Sequence, residues 1–222
     1  MSAINSSSTK LTVHYADDPS AFPMEGGCCC GYVRYRLEEA PMAVHCCHCT
    51  SCQRETGSAF GINVLIEAAN VTVLPSAPAT VPAHPGAPNT FPPAGPAPLS
   101  SSKPELLRAQ IPQESGEAQN VTHCPKCFTA VWTEYSVGPA VRFVRQGTLD
   151  RAWLVQPDLH LYVRSKRDFV AIEDGTPQFQ EFYDRTNVWR PDSLERWDKI
   201  LPEIRHYRES LETAGTARGS DP

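Results

Sequence analysis

The cysteines of this chain are concentrated in three short motifs. Seven of the nine are Cys28 and Cys30 in GGCCCG, Cys47, Cys49 and Cys52 in CCHCTSC, and Cys124 and Cys127 in HCPKC. In an extended C-x-C both side chains project to one face, and a C-x-x-C turn folds two thiols toward one point. A thiolate is a soft donor that suits zinc, and each pair supplies about half of a tetrahedral site. The spacing therefore predicts zinc ligation.

The number of ligands predicts two unequal sites. The first and third motifs together supply four thiolates, the closed set that is typical of structural zinc. The middle motif supplies three, which leaves a position for water or substrate, as in catalytic zinc sites. We therefore expect two Zn²⁺ ions per chain. The structural site comprises Cys28, Cys30, Cys124 and Cys127, and the catalytic site comprises Cys47, Cys49 and Cys52.

Two other interpretations of the cysteines remain open. Disulfide bonds are disfavoured because nine is an odd number, near-adjacent cysteines have poor bridge geometry, and no secretory segment precedes them. Alternatively both zinc ions are structural, and His45, His48 or Glu55 completes the set of three. The spacing does not decide which residue is the fourth ligand.

Two cysteines fall outside these sets. Cys29 lies between two ligands and is expected to point to the opposite face of a strand, into the core. Cys46 is expected to be a packed small side chain. It could also replace a neighbouring ligand or act as a reactive thiol beside the metal.

The rest of the chain has a mostly β pattern. GYVRYRLE (31–38) alternates apolar and polar residues, and FGINVLIE, VTVL, TAVWTEY, AVRFVRQG and LHLYVRSK are further runs of β-branched and aromatic residues. Turn residues separate these runs, and no long helical period interrupts them. The pattern predicts a mainly β fold of antiparallel sheets whose ends are held by zinc.

Composition divides the chain into a domain with appendages. Ten of the 21 prolines lie between Pro75 and Pro104, in a segment with little charge, which predicts a disordered insert over 75–115. Apolar residues recur after Asp192 with helical spacing, which predicts a short C-terminal helix kinked or divided at Pro202. We expect a disordered or loosely packed tail at 1–23, a zinc-binding β domain at 24–184, and a helix and tail at 185–222.

Charge and hydropathy exclude some classes of function. The net charge of −5 disfavours non-specific binding to nucleic acid, and the small basic runs are better explained as solvated strand faces. No apolar stretch is long enough to span a membrane. The chain is expected to be soluble and cytoplasmic. A protein partner could bind the proline-rich insert or the C-terminal helix.

Several motifs in register resemble one known family. They are GGCCCGYVRY, CCHCTSCQRETGSAF, HCPKCFTAVW, GTLD (147–150) and HLYVRSKRDFVAIEDGTPQF (160–179). In this order they are similar to the glutathione-dependent formaldehyde-activating enzyme family, which includes centromere protein V. The resemblance covers about residues 24–184 and leaves out the N-terminal tail, the proline-rich insert and the C-terminal helix.

The resemblance implies a tent-like β fold held by zinc and a carbon–sulfur lyase activity on a glutathione adduct. Glutathione would bind at the open position as a thiolate and add to formaldehyde, giving S-hydroxymethylglutathione, or react in reverse. The matching positions make Cys28, Cys30, Cys124 and Cys127 the structural ligands and Cys47, Cys49 and Cys52 the catalytic ones. Thr56, Gly57 and Ser58 could line the pocket or form an ordinary turn.

The chain departs from the family pattern at Phe128, where the family usually has glycine. A different backbone path is therefore expected beyond Cys127. Because a fold does not determine function, a second hypothesis stands beside the lyase. In this alternative the chain is a non-catalytic binding module stabilised by zinc.

Overall fold

Ten β-strands and two α-helices form the regular structure of the computed structural model, which describes residues 13–76, 102–112, 118–135 and 138–218. The strands are β1 (Met24–Gly27), β2 (Arg34–Leu37), β3 (Ala43–Cys47), β4 (Gly61–Glu67), β5 (Val71–Leu74), β6 (Leu107–Ile111), β7 (Gln119–His123), β8 (Ala130–Glu134), β9 (Val141–Arg145) and β10 (Leu159–Leu161). The helices are α1 (Thr50–Thr56) and α2 (Pro191–Arg218).

The strands form two sheets. One has three antiparallel strands in the order β1-β2-β5, and the other has seven in the order β10-β3-β4-β9-β8-β7-β6. Strand β10 pairs parallel to β3, whereas the other paired strands of the larger sheet are antiparallel. The predicted mainly β fold with a C-terminal helix is confirmed. The parallel pair is a further feature, and it brings two distant segments side by side.

The seven-stranded sheet is buried on both faces. Along β4, Val64 and Ile66 pack with Tyr35 and Trp132 in the core between the two sheets, whereas Leu65 packs on the opposite face. The rings of Tyr35 and Trp132 meet edge to face at 5.9 Å. Because side chains alternate along a strand, consecutive residues of the central strands belong to different cores. This alternation also places the neighbouring cysteines of β3, Cys46 and Cys47, on opposite faces of the sheet.

Helix α2 covers the second face of the large sheet. Its Trp197 and Ile204 are 5% and 2% exposed and pack in the same cluster as Leu65. Arg196 on this helix forms an ion pair with Glu67 of β4, with Nη2 2.5 Å from Oε2. The helix therefore packs against the domain along its N-terminal half.

Helix α2 continues through Pro202 as one helix of 28 residues, although the sequence predicted a kink or two shorter helices. Proline leaves the carbonyl of the residue four positions earlier without its helical hydrogen bond. That residue is Asp198, which is exposed, as is Pro202. Water can bind the carbonyl there, so the interruption does not break the helix.

The segment before β1 is packed, in contrast to the loose tail predicted for residues 1–23. Tyr15 is 4% exposed, and its hydroxyl donates to Asp158 Oδ2 at 2.5 Å. Asp17 accepts two hydrogen bonds from Arg190, at 2.9 and 2.8 Å. Residues 1–12 lie outside the described part of the chain. From residue 13 the N-terminal segment therefore contacts the C-terminal part of the chain, at Asp158 and Arg190.

Strand β6 corrects the C-terminal boundary of the predicted proline-rich insert. Leu107–Ile111 lies within the range 75–115, yet it pairs with Gln119–His123 along its whole length and forms an edge of the large sheet. Its residues alternate little in burial because the strand is at the edge. The most proline-rich stretch, 77–101, lies outside the described residues, as does 113–117.

Candidate metal centres

Four cysteines from two distant segments of the chain meet at one point. The sulfur atoms of Cys28, Cys30, Cys124 and Cys127 all lie within 4.8 Å of one another. Cys30 Sγ is 3.5 Å from Cys28 Sγ and 3.7 Å from Cys124 Sγ. Thiolates at about 2.3 Å from a tetrahedral zinc ion lie roughly 3.8 Å apart, so this spacing fits zinc. The four residues could hold a metal ion.

The C-x-C motif lies in a turn that follows β1, not in an extended strand as the sequence analysis expected. Strand β1 ends at Gly27, and Gly31 has a φ of 76°, which reverses the chain. The backbone N–H of Gly31 donates to Cys28 O at 3.1 Å, and that of Val33 donates to Cys28 Sγ at 3.2 Å. The turn thus brings both thiols to the same side and directs an amide at one sulfur.

The C-x-x-C motif forms a turn between β7 and β8. The backbone N–H of Phe128 donates to Cys124 O at 2.9 Å, and that of Lys126 donates to Cys124 Sγ at 3.4 Å. Phe128 has a φ of 59° and is 67% exposed. The chain therefore keeps the left-handed conformation that glycine favours, and the expectation of a different backbone path at this position is wrong.

The second cluster combines the end of β3 with the start of α1. Cys47 is the last residue of β3, Cys49 is the N-cap of α1, and Cys52 lies in its first turn. Their sulfur atoms lie within 4.8 Å of one another, so they also could hold a metal ion. The backbone N–H of Cys52 donates to Cys49 Sγ at 3.3 Å. A helix N-terminus stabilises negative charge at this sulfur.

The charges within this cluster also fit a cation. Hydrogen bonds from the Cys47 and Cys52 thiols lower the pKa of Cys49 to about 2. Hydrogen bonds with Cys49 and Cys52, together with burial, raise the pKa of Cys47 well above its ordinary value. One sulfur therefore ionises readily and suppresses ionisation of its neighbour. A divalent cation would allow the three sulfurs to be thiolates together.

A large cavity opens beside this second cluster. Its volume is about 590 Å³, and it is lined by Cys47, Cys49, Cys52 and mostly aromatic and apolar side chains from β3, β4, β9, the loop after β10 and helix α2. The residues that line it do not include Cys28, Cys30, Cys124 or Cys127. The set of three cysteines thus faces a space of the size that small-molecule sites have.

One wall of the cavity holds a chain of hydrogen bonds. His45 Nε2 lies 2.5 Å from Tyr183 Oη, and Trp189 Nε1 donates to the same hydroxyl at 2.5 Å. Burial lowers the pKa of His45 to about 3, so its ring is neutral at physiological pH. The indole donates to Tyr183, and the hydroxyl donates in turn to His45. These three side chains are therefore polar at defined points and carry no charge themselves.

Two arginines and a tyrosine also line the cavity. Arg164 forms an exposed ion pair with Glu181 at 2.6 Å, and the Arg185 guanidinium lies 4.3 Å from the centre of a Trp197 ring. Tyr162 has a φ of 55°, an uncommon conformation for a bulky residue. Burial, followed by the charges of Cys47 and Cys49, raises its pKa. The cavity can therefore offer cations and a phenol that stays protonated.

The three residues considered as a fourth ligand are all engaged elsewhere. Glu55 accepts hydrogen bonds from Arg145 and from Gln119 Nε2, the latter at 2.7 Å. His45 is bonded to Tyr183, and His48 clusters with Cys46 on the other face of β3. None of the three belongs to the group formed by Cys47, Cys49 and Cys52.

The residues that follow the CCHCTSC motif do not line the main cavity. Thr56 Oγ1 donates to Cys52 O at 2.7 Å, and Gly57 ends helix α1 in the left-handed conformation, with a φ of 62°. Gly57 and Ser58 border a separate cavity of about 320 Å³ with Arg54 and Arg167. The structure therefore supports the interpretation of Thr56, Gly57 and Ser58 as an ordinary turn.

The two remaining cysteines have different surroundings. Cys29 is exposed, so the expectation that it packs in the core is wrong, and its Sγ accepts from Thr129 Oγ1 at 3.4 Å. It points outward because the motif is a turn. Cys46 is 2% exposed, as predicted for a packed side chain, but it lies beside His48 and His160.

The cavity residues that follow β10 were not predicted from the sequence. They are Tyr162, Arg164, Glu181, Phe182, Tyr183, Arg185 and Trp189. Their segment reaches the cysteines because β10 pairs with β3, an interaction between residues more than 110 positions apart. The run of aromatic and basic residues from 179 to 190 is a signal in the sequence, but only the pairing shows where it lies.

Comparisons with known proteins agree with these centres. The family model for the glutathione-dependent formaldehyde-activating enzyme matches residues 23–92 and 86–165, which contain all the cysteines of both clusters. Comparison with curated proteins finds no relative. Among the described residues, neither helix is both long and apolar enough to cross a membrane. The two matches together span more than half of the chain, and the protein therefore belongs to the glutathione-dependent formaldehyde-activating enzyme family.

Proposed function

We propose that the protein is a zinc-dependent carbon–sulfur lyase that acts on adducts of a small thiol, nominally joining glutathione and formaldehyde into S-hydroxymethylglutathione. The observation that carries this proposal is the position of Cys47, Cys49 and Cys52 at the edge of a cavity of about 590 Å³. Three cysteines that face a ligand-sized space are typical of a catalytic zinc site, which keeps one position open.

The proposal assigns different roles to the two clusters. Cys28, Cys30, Cys124 and Cys127 would hold a structural zinc ion, because four sulfurs complete its coordination. Cys47, Cys49 and Cys52 would hold the catalytic one. When bound there, zinc supplies a Lewis acid that favours the deprotonated form of a thiol substrate.

The arginines of the cavity favour a thiol that carries carboxylates. Glutathione has two carboxylates, and a guanidinium can bind a carboxylate with two parallel hydrogen bonds. Arg185 is held over the Trp197 ring at 4.3 Å, which fixes its charge in the wall of the cavity. The pair Arg164–Glu181 is exposed, so a substrate carboxylate can replace Glu181 at little cost.

Tyr162 is suited to the proton transfer. In the forward direction the substrate sulfur attacks the carbonyl carbon of formaldehyde, the C–S bond forms, and the carbonyl oxygen takes a proton. The raised pKa of Tyr162 keeps its phenol protonated at neutral pH, so the phenol can donate to that oxygen. The thiol proton is lost to solvent when the sulfur binds as a thiolate, and the phenolate left after donation is reprotonated from solvent. In the reverse direction the phenolate takes the proton of the hydroxyl group as the C=O bond re-forms and the C–S bond breaks.

The domain organisation of the chain and its cellular compartment are proposed as well. We propose that residues 24–184 form the zinc-binding domain and that 185–222 supply a helix that completes the cavity wall with Trp197. Free cysteines in nine positions are consistent with a reducing, cytoplasmic environment. A protein partner at the proline-rich insert would bind residues that lie outside the described part of the chain.

Exchange spectroscopy tests the activity directly. The rate of exchange between glutathione, carbon-13 formaldehyde and their adduct is measured by NMR with zinc-loaded protein. We expect the wild type to accelerate exchange above the spontaneous rate. We expect Cys49→Ser to remove the acceleration, because serine is a poor zinc ligand, while the closed cluster keeps its zinc and the circular dichroism spectrum is unchanged.

Cys29→Ser is the matched control, because Cys29 is exposed and belongs to neither cluster. It should exchange the adduct at the wild-type rate. If the wild type and Cys49→Ser are equally inactive, the lyase proposal fails for this substrate pair. A non-catalytic binding module would then be the better description.

A further inference from the structure

A third group of potential ligands lies on the opposite face of β3 from Cys47. Cys46 Sγ is 3.7 Å from His48 Nε2, which is 2.9 Å from His160 Nδ1. These three atoms all lie within 4.8 Å of one another. Cys46, His48 and His160 are 2%, 0% and 6% exposed. One thiol and two imidazoles are therefore collected at a point shielded from solvent.

The fold fixes this arrangement through the backbone. His160 of β10 is directly opposite Cys46 in the parallel register with β3. The backbone N–H of His48 donates to Leu161 O at 2.9 Å, so the pairing continues beyond the end of β3. Because side chains alternate along a strand, Cys46 and His48 share one face and Cys47 lies on the other. The group is thus distinct from the set of three cysteines.

A carboxylate orients one of the imidazoles. His160 Nε2 lies 2.9 Å from Asp174 Oδ2, and Asp174 Oδ1 accepts from the backbone N–H and the hydroxyl of Thr176, at 2.9 and 2.7 Å. The ionised carboxylate accepts the proton of Nε2, which leaves Nδ1 of His160 with a lone pair directed at the group. Metal-binding histidines usually have such a carboxylate or carbonyl partner.

The other imidazole has one ring nitrogen without a hydrogen bond. Within the described residues His48 Nδ1 is buried and forms no hydrogen bond, whereas Nε2 lies 2.9 Å from His160 Nδ1. With an ion bound, Nδ1 would carry the proton, and Nε2 would present a lone pair to the same point as Cys46 Sγ and His160 Nδ1. The two rings are nearly parallel, with an angle of 24° between their planes. Their centres lie 5.2 Å apart.

We propose that Cys46, His48 and His160 bind a third zinc ion, with Asp174 orienting His160. Ligands at about 2.0–2.3 Å from a tetrahedral zinc give a nitrogen–sulfur separation of roughly 3.6 Å and a nitrogen–nitrogen separation of roughly 3.4 Å. The separation of 3.7 Å fits, and that of 2.9 Å requires the rings to part slightly. Mixed thiolate and imidazole sets are common zinc ligands.

The burial of this group separates it from the cavity. Its residues do not line the cavity beside Cys47. An ion here would join β3, the loop after β3, and β10. It would thereby hold the backbone that carries both Cys47 and Tyr162. This inference does not depend on the lyase activity, since it concerns only what the three side chains bind.

The alternative is a metal-free chain of hydrogen bonds from Asp174 through His160 to His48, with the Cys46 thiol packed beside it. Zinc content and coordination distinguish the two. The full-length protein is purified with zinc, dialysed and analysed for zinc and copper per chain. Its zinc X-ray absorption spectrum reports imidazole ligands, which neither of the other clusters supplies among the described residues.

We expect about three zinc ions per wild-type chain and a clear imidazole contribution. Cys46→Ala and His160→Gln should each hold about one zinc fewer and lose the imidazole contribution. Cys29→Ser, the control, should match the wild type. Asp174→Asn should weaken only the third site, by about 10- to 100-fold in affinity. Two zinc ions in the wild type without imidazole ligands would overturn the proposal.

A measurement on the wild type alone covers the case in which the variants fail to fold. Cadmium-113 replaces zinc, and its NMR shift moves strongly with the number of thiolate ligands. We expect three resonances, one of which has the shift of a site with a single sulfur and two nitrogens. Only sulfur-rich resonances would overturn the proposal, and so would a third equivalent found as copper, which also suits two imidazoles and a thiolate.

Discussion

Neighbouring residues of β3 serve different sites because their side chains alternate. His45 and Cys47 face the cavity, whereas Cys46 lies with His48 and His160 on the other face. A shift of one position would exchange the two sets. Which site a residue of β3 serves therefore depends on whether its position along the strand is odd or even. The pairing of β3 with β4 and β10 fixes these positions.

The phenol of Tyr162 is the first residue to test by substitution. Tyr162→Phe removes the donor and keeps the ring and its left-handed backbone. We expect the turnover of adduct to fall by about 10²-fold, as when one donor to a developing charge is lost. The measurement is the exchange rate at saturating glutathione. Tyr32→Phe, which lies away from the cavity, should retain wild-type exchange, and equal rates for both variants would exclude the role.

Arg185 is expected to determine affinity for the thiol. Arg185→Gln removes a cation from the cavity wall, so the KM for glutathione should rise about tenfold or more, with little change in kcat. A small thiol without carboxylates should not distinguish the variant from the wild type. Arg167→Gln serves as the control because Arg167 borders the separate smaller cavity. A loss shared by both thiols would contradict carboxylate recognition.

At the scale of elements, two turns form the closed cluster, and one of them strains its backbone. The turn between β7 and β8 places Phe128 at a φ of 59°, a region that costs a residue with a Cβ about 1–2 kcal/mol. Its ring is 67% exposed and so regains little by packing. The strained turn is kept because it brings the sulfur atoms of Cys124 and Cys127 close to those of Cys28 and Cys30.

Phe128→Gly should therefore stabilise the protein. Relief of the backbone strain exceeds the extra chain entropy of glycine in the unfolded state, so the free energy of unfolding should rise by about 0.5–1 kcal/mol. Urea unfolding of the zinc-loaded protein measures this change. Phe169→Gly is the matched control: it is 82% exposed and does not have a positive φ, and it should be neutral or destabilising. Destabilisation by Phe128→Gly would contradict the expectation.

Over the whole molecule, the predictions that succeeded rest on short-range patterns. The spacing of the cysteines predicted both clusters, strand periodicity predicted the mainly β fold, and helical spacing of apolar residues predicted the C-terminal helix. The wrong expectations depended on turns and pairing. Cys29 is exposed because its motif is a turn, and the cavity residues after β10 were missed because a parallel pair with β3 is not encoded locally. The grouping of Cys46 with His160 was hidden for the same reason.

The closed cluster is the place where the two sheets are joined, so its metal should stabilise the whole domain. Cys28 and Cys30 follow a strand of the small sheet, and Cys124 and Cys127 follow a strand of the large one. Chelation of the proposed zinc should remove the ion that holds these four sulfurs together, and the thermal midpoint should fall by more than about 10 °C. Hydrogen exchange should increase first in β1, β2, β7 and β8.

Cys124→Ser should reproduce this loss of thermal stability, whereas Cys49→Ser should lower the midpoint by much less, because Cys49 caps a helix at the edge of the cavity. If Cys49→Ser is as destabilising as Cys124→Ser, the division into a structural and a catalytic site is wrong.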